Sequence, residues 1–177
     1  VSGENHTTSH LRDQLIWDPV RYGSKPALEF AGSQFAALMR GATVHADIIK
    51  SVMQVGALCG VDKTFDWFDR QLQESKIEDA RLNMLSALGC FKDEALIIKS
   101  LQYTLDTVPA RNKFIPVVAM ASNPHAIPLL WDWYVNNLDS IEQFHPMLYE
   151  RVIAAIVPTA GISRADEVKT FFADYLK

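Results

Sequence analysis

The sequence predicts an all-α chain: an irregular α-solenoid of the HEAT or armadillo kind, made of stacked antiparallel helix pairs. Three observations carry that expectation. Helix-favouring apolar runs follow one another with breaks of only a few residues, as in "ARLNMLSALGCFKDEALIIKSL" (80–101), where Cys90-Phe91-Lys92-Asp93 alone separates two runs. Apolar residues recur at helical spacing. Strand signals are nearly absent, and the one ambiguous run, "FIPVVAM" (114–120), is flanked by helical patterns and reads as a buried helix. Short loops between successive helices force antiparallel neighbours. Helix pairs with apolar faces cannot bury those faces alone, so they stack. A compact helical bundle is the alternative architecture.

The runs fall at 8–22, 25–40, 45–59, 62–74, 76–90, 93–106, 110–121, 124–138, 140–157 and 163–176. Residues 1–7 are polar and are expected to form a disordered or tag-like tail, leaving 8–177 as a single helical-repeat domain, a piece of a longer chain. Gly23, Gly41, Gly60 and Gly161 stand at or near expected helix ends, where a residue that tolerates positive φ is favoured. Asp62 is placed to cap 62–74, in which Phe65, Phe68 and Leu72 fall at i, i+3 and i+7. Ser75-Lys76-Ile77-Glu78 fits a capping box ahead of the stripe Ile77, Ala80, Met84, Leu85 and Leu88. Asp93 caps the run after it. Pro116 sits in the first turns of 110–121, and Asn123-Pro124 pairs a cap with a proline at the first helical position. Pro128 and Pro146 fall near predicted starts, where each shifts or kinks its helix. Ser163 caps the last run.

Composition narrows the function classes. The 177-residue chain carries a formal charge of −4, which argues against a nucleic-acid partner. No apolar run reaches the ~20 residues of a membrane span, and the start shows no signal-peptide pattern. Cys59 and Cys90 both lie in apolar surroundings without a CxxC and read as buried free thiols. That favours a reducing, cytoplasmic setting. Asn5-His6-Thr7 is a chance match to a glycosylation sequon.

No catalytic constellation is visible: there is no HExxH, P-loop, GxGxxG or GxSxG. His6 and His10 stand at i, i+4 in the polar tail without a third ligand, and the remaining histidines are scattered. Asp66 and Asp69, with Lys63 and Arg70 nearby, read as a solvated charged face. Arg111 and Lys113 follow Pro109 in an inter-helix turn and are the candidate cations for a carboxylate or phosphate; a plain surface pair is the competing reading. In "LLWDWYVNNL" (129–138), Trp131 and Tyr134 are expected in the core and Trp133 outside. Residues 114–150 contain no Lys or Arg but include Asp132, Asp139, Glu142 and Glu150, an acidic stretch suited to a basic partner.

Several segments together resemble the C-terminal helical domain of M1-family zinc aminopeptidases, the group of aminopeptidase N and the puromycin-sensitive, endoplasmic-reticulum and tricorn-interacting types. They are Ala87-Leu88-Gly89, Phe91-Lys92-Asp93, Val117-Val118, Asn123-Pro124, Trp131 with Trp133, Glu167-Val168 with Phe171-Phe172, and the opening "HLRDQLIW". Each is weak alone; their order and spacing over most of the chain carry the resemblance. It implies a curved stack of helix pairs without a catalytic site or metal of its own. The zinc site lies in an earlier domain of the parent. The implied partners are that catalytic domain and peptide substrates, whose access the helical domain limits by walling an internal cavity. In some relatives this domain also holds the peptide's C-terminal end. The chain departs from the family where some relatives have an Arg in place of Cys90, and where Pro109, Ala110, Arg111 and Asn112 replace an Arg-x-Gln-Asp segment. A freestanding solenoid that binds another protein is the rival reading.

Overall fold

The computed structural model describes residues 6–144 and 146–175, and among them there is no strand. The helices are α1 (His6–Arg21), α2 (Lys25–Met39), α3 (Ile49–Leu58), α4 (Asp62–Glu74), α5 (Glu78–Leu88), α6 (Glu94–Asp106), α7 (Phe114–Met120), α8 (Ile127–Asn136), α9 (Leu138–Glu142), α10 (Pro146–Ser163) and α11 (Ala165–Tyr175), with a 3₁₀ turn at Ala110–Asn112. The expected tail lies outside the described residues over 1–5, and so do the side chains of His6 and His10.

The helices form a two-layer stack. In one layer α1, α3, α5, α7 and α10 pack side by side in that order. In the other, α2 flanks α1 and α3, α4 lies on α3 and α5, α6 on α7, and α8 and α11 on α10. This ordered packing is α-solenoid-like, because the main contacts of each helix are with those beside it. Helix α3 is central, with every residue from Ser51 to Ala57 buried, as expected for a helix covered on all sides. Its N-terminus is tied to α1: the Ser51 amide donates to Asp13 Oδ1 at 2.8 Å, and Ser51 Oγ donates to the Asp13 carbonyl at 2.8 Å.

Two aromatic clusters tie helices of the second layer to one another, and the first also reaches the loop after α5. Phe35 of α2 meets Trp67 edge-on at 5.4 Å and Phe68 at 5.6 Å, while Phe65 and Phe68 of α4 reach Phe91 at 6.1 and 6.4 Å. Trp131 and Tyr134 of α8 pack on Phe171 of α11 at 5.4 and 6.1 Å. Full burial of each such ring contributes about 1.5–3 kcal/mol. Trp131 and Tyr134 are therefore core residues, as expected; Trp133 is half-buried, and its indole N–H is enclosed without a hydrogen-bond partner.

The helix ends follow local chemistry, with several differences from the sequence reading. Gly23 (φ +85°) and Gly41 (φ +90°) are left-handed and close α1 and α2. Asp93 is a true N-cap, its Oδ1 accepting from the Leu96 amide at 3.1 Å. The Ser75–Glu78 box does not form, because α5 starts only at Glu78: Ser75 instead closes α4, and its Oγ accepts from the Ile77 amide at 3.3 Å. Asp62 is the first residue of α4, after Val61 at the cap position. The run expected at 140–157 is split. Helix α9 ends at Glu142, Pro146 opens α10 where its missing N–H costs nothing, and the helix runs on to Ser163. Gly161 thus lies inside α10, and Ser163 ends that helix rather than capping the next.

Gly161 has nothing within 4 Å of where a Cβ would stand. In a helix interior, glycine costs roughly 0.5–1 kcal/mol relative to alanine. Gly161→Ala is accordingly expected to raise stability by about that amount, read as a higher urea midpoint at unchanged slope.

Candidate functional site

A groove of about 810 Å³ runs across the layer of α1, α3, α5 and α7. Its apolar lining comes from Trp17 of α1, Leu58 of α3, and Phe114, Ile115 and Val118 of α7. The buried polar lining is Gln54, Cys90 and Asn123. Charged side chains also line it: Arg21, Lys50 and Lys92 bring positive charge, Asp13 and Asp18 negative.

Asn123 builds one wall of this groove. The expectation of an N-cap directly ahead of Pro124 is not met, since α8 starts three residues later, at Ile127. The side chain is instead a cross-link between loops. Its Nδ2 donates to the Gly89 carbonyl at 3.0 Å and to the Phe91 carbonyl at 2.7 Å, and its Oδ1 accepts from the His125 amide at 3.0 Å. One carboxamide thus satisfies two carbonyls left over at the end of α5 and shapes the turn leading to α8. Beside it, α5 and α7 approach closely at Gly89. A Cβ there would stand 2.5 Å from Ala119 Cβ and 2.7 Å from the Pro116 carbonyl oxygen.

The two thiols differ, and one corrects the sequence reading. Cys90 is buried, its Sγ lies 3.6 Å from the Ser86 carbonyl oxygen, and burial pushes its pKa up to about 12. Cys59 is exposed rather than buried, because α3 ends at Leu58 and leaves it in the turn at the edge of the groove. Its thiol is also raised, first by partial desolvation, with Lys92 opposing.

The two predicted cations are not brought together. Arg111 is exposed, with Nη2 at 3.3 Å from both carboxylate oxygens of Glu78. Lys113 is half-buried. Its ammonium donates to the Leu105 carbonyl near the C-terminus of α6 and stands 5.4 Å from the Phe144 ring centre. Neither lines the groove. Asp66 and Asp69 face α6 rather than Lys63 or Arg70: Asp66 pairs with Lys99 at 3.2 Å, and Asp69 accepts from Tyr103 Oη at 2.9 Å. Burial, with the Asp69 carboxylate second, raises the Tyr103 pKa.

Among the described residues no group of three or more His, Cys, Asp or Glu side chains is placed to hold a metal ion. No helix there is long and apolar enough to cross a membrane.

Stacked helix pairs with an open groove across one layer define a helical-repeat domain. The whole chain, residues 1–177, matches the family model described as "ERAP1-like C-terminal domain", and the chain belongs to that family. It is similar to "Aminopeptidase 2, mitochondrial" of Saccharomyces cerevisiae, 26% identical over 137 residues, which is 75% of this chain and 14% of that protein. The chain therefore spans about one seventh of the length of that relative.

Proposed function

We propose that residues 8–177 act as the non-catalytic helical-repeat domain of a zinc aminopeptidase, walling an internal cavity and limiting which peptides reach a metal held in another domain of the same polypeptide. The observation that carries this reading is the family match over the whole chain, with a relative named as an aminopeptidase. The groove across four helices of one layer supports it, since a wall that peptides slide along must offer a concave surface. The parent's zinc would act as Lewis acid and water activator at the scissile carbonyl. The partners are then the catalytic domain and peptide substrates. A cytoplasmic setting agrees with the free thiols, although the relative's name carries the word mitochondrial.

Arg111 and Lys113 are proposed to meet peptide carboxylates from outside the groove. Arg111 suits this better. Its exposed pair with Glu78 is worth only about 0–1 kcal/mol and exchanges readily for another carboxylate. Reversing both charges in the full-length protein is expected to raise KM for peptides about tenfold, with little change for a single-residue amide. Unchanged KM and unchanged peptide-length preference would remove these two residues from the function.

A further inference from the structure

Within the groove, Gln54 presents an unsatisfied acceptor. The residue is 7% exposed, it lines the groove, and its Oε1 has no hydrogen-bond partner. A buried acceptor left unpaired costs about 1–3 kcal/mol, so the site favours an occupant that supplies a donor. In the lining of the same groove, three elements each contribute one cation: Arg21 from the end of α1, Lys50 from the first turn of α3, and Lys92 from the loop between α5 and α6. Of the two opposing carboxylates, Asp13 already spends its Oδ1 on the Ser51 amide. The groove lining thus carries one more positive than negative side chain, in a chain of net charge −4.

We propose that this groove binds a peptide segment carrying acidic side chains, with a backbone N–H of the segment donating to Gln54 Oε1 and its carboxylates meeting Arg21, Lys50 and Lys92. The inference rests on the peptide-gating reading and deepens it by naming the class of sequence admitted. Spread over three elements, the cations match several carboxylates along a segment better than one terminal carboxylate at a point. Trp17, Phe114 and Ile115 supply apolar surface in the same groove. A lysine- or arginine-rich segment would meet like charge and be rejected.

The test is calorimetric titration of the full-length protein with N-acetylated peptides, whose blocked amine keeps them from being aminopeptidase substrates. The series holds an internal Glu-Glu peptide, its Gln-Gln counterpart, its Lys-Lys counterpart and the C-terminal amide of the Glu-Glu form. The Glu-Glu peptide is expected to bind about tenfold more tightly than Gln-Gln, with amidation of the terminus of little effect. Lys50→Glu and Arg21→Glu should abolish that preference, and Gln54→Met should weaken all the peptides together. Equal binding of the Glu-Glu and Gln-Gln forms, or a preference that follows the terminal carboxylate instead, would overturn the proposal. Either result would leave the gating reading standing, because that reading is tested by turnover and not by these blocked peptides.

Discussion

Asn123→Ala is expected to destabilise the chain by about 3 kcal/mol, the largest effect of any polar substitution considered. The change removes two donors from the Gly89 and Phe91 carbonyls and one acceptor from the His125 amide. Asn123 is 7% exposed, so water does not readily replace it. Each buried group left unpaired costs about 1–3 kcal/mol. Asn123→Asp is expected to be at least as damaging. It keeps the acceptor but turns a carboxylate toward two carbonyl oxygens, and its protonation at low pH should recover part of the loss by restoring one donor. Urea unfolding of both variants at neutral and acidic pH checks this. A loss under 1 kcal/mol for Asn123→Ala would show that the loop between α7 and α8 is held by something else.

Gly89→Ala is expected to cost about 3 kcal/mol by forcing α5 and α7 apart. A Cβ there meets Ala119 Cβ at 2.5 Å, the Pro116 carbonyl oxygen at 2.7 Å and the Met120 amide nitrogen at 2.9 Å. Two of these atoms are backbone, so no side-chain rotation relieves the clash. Adding Ala119→Gly should therefore recover only a minority of the loss. The damage should also reach the groove, because α7 supplies its Phe114, Ile115 and Val118 lining. Gly161→Ala, the same substitution in open space, is the control. Thermal unfolding of the single and double variants decides the matter; full rescue by Ala119→Gly would show that the backbone has room to move.

The stack was largely legible in the sequence, because its determinants are local. Short breaks, the Asp93 cap, the glycines after α1 and α2, and the stripe Phe65, Phe68 and Leu72 each act within one or two turns. The helical nature of "FIPVVAM" was legible from its neighbours. The break between α9 and α10 was half legible: Pro146 allows either a kink in the 140–157 run or a shifted start, and the structure takes the second, with α10 opening at Pro146. The roles of Asn123 and Gly89 were not legible at all. Asn123 finds its carbonyls 32 and 34 positions away, and the close approach at Gly89 is made by residues of a different helix. The groove was invisible for the same reason, since its lining is drawn from residues between Asp13 and His125. Arg111 and Lys113 are near neighbours in one turn, but side chains two residues apart there point to different partners, Glu78 and Leu105.

Under the proposed function, this domain controls access to a reaction carried out elsewhere in the same polypeptide. The most direct measurement compares release of N-terminal residues from a peptide series by the full-length protein and by residues 1–177 alone, with and without a metal chelator. Chelator-sensitive release is expected from the full-length protein and none from the isolated domain. Turnover by residues 1–177 alone, or a full-length protein that releases nothing from any peptide, would contradict it.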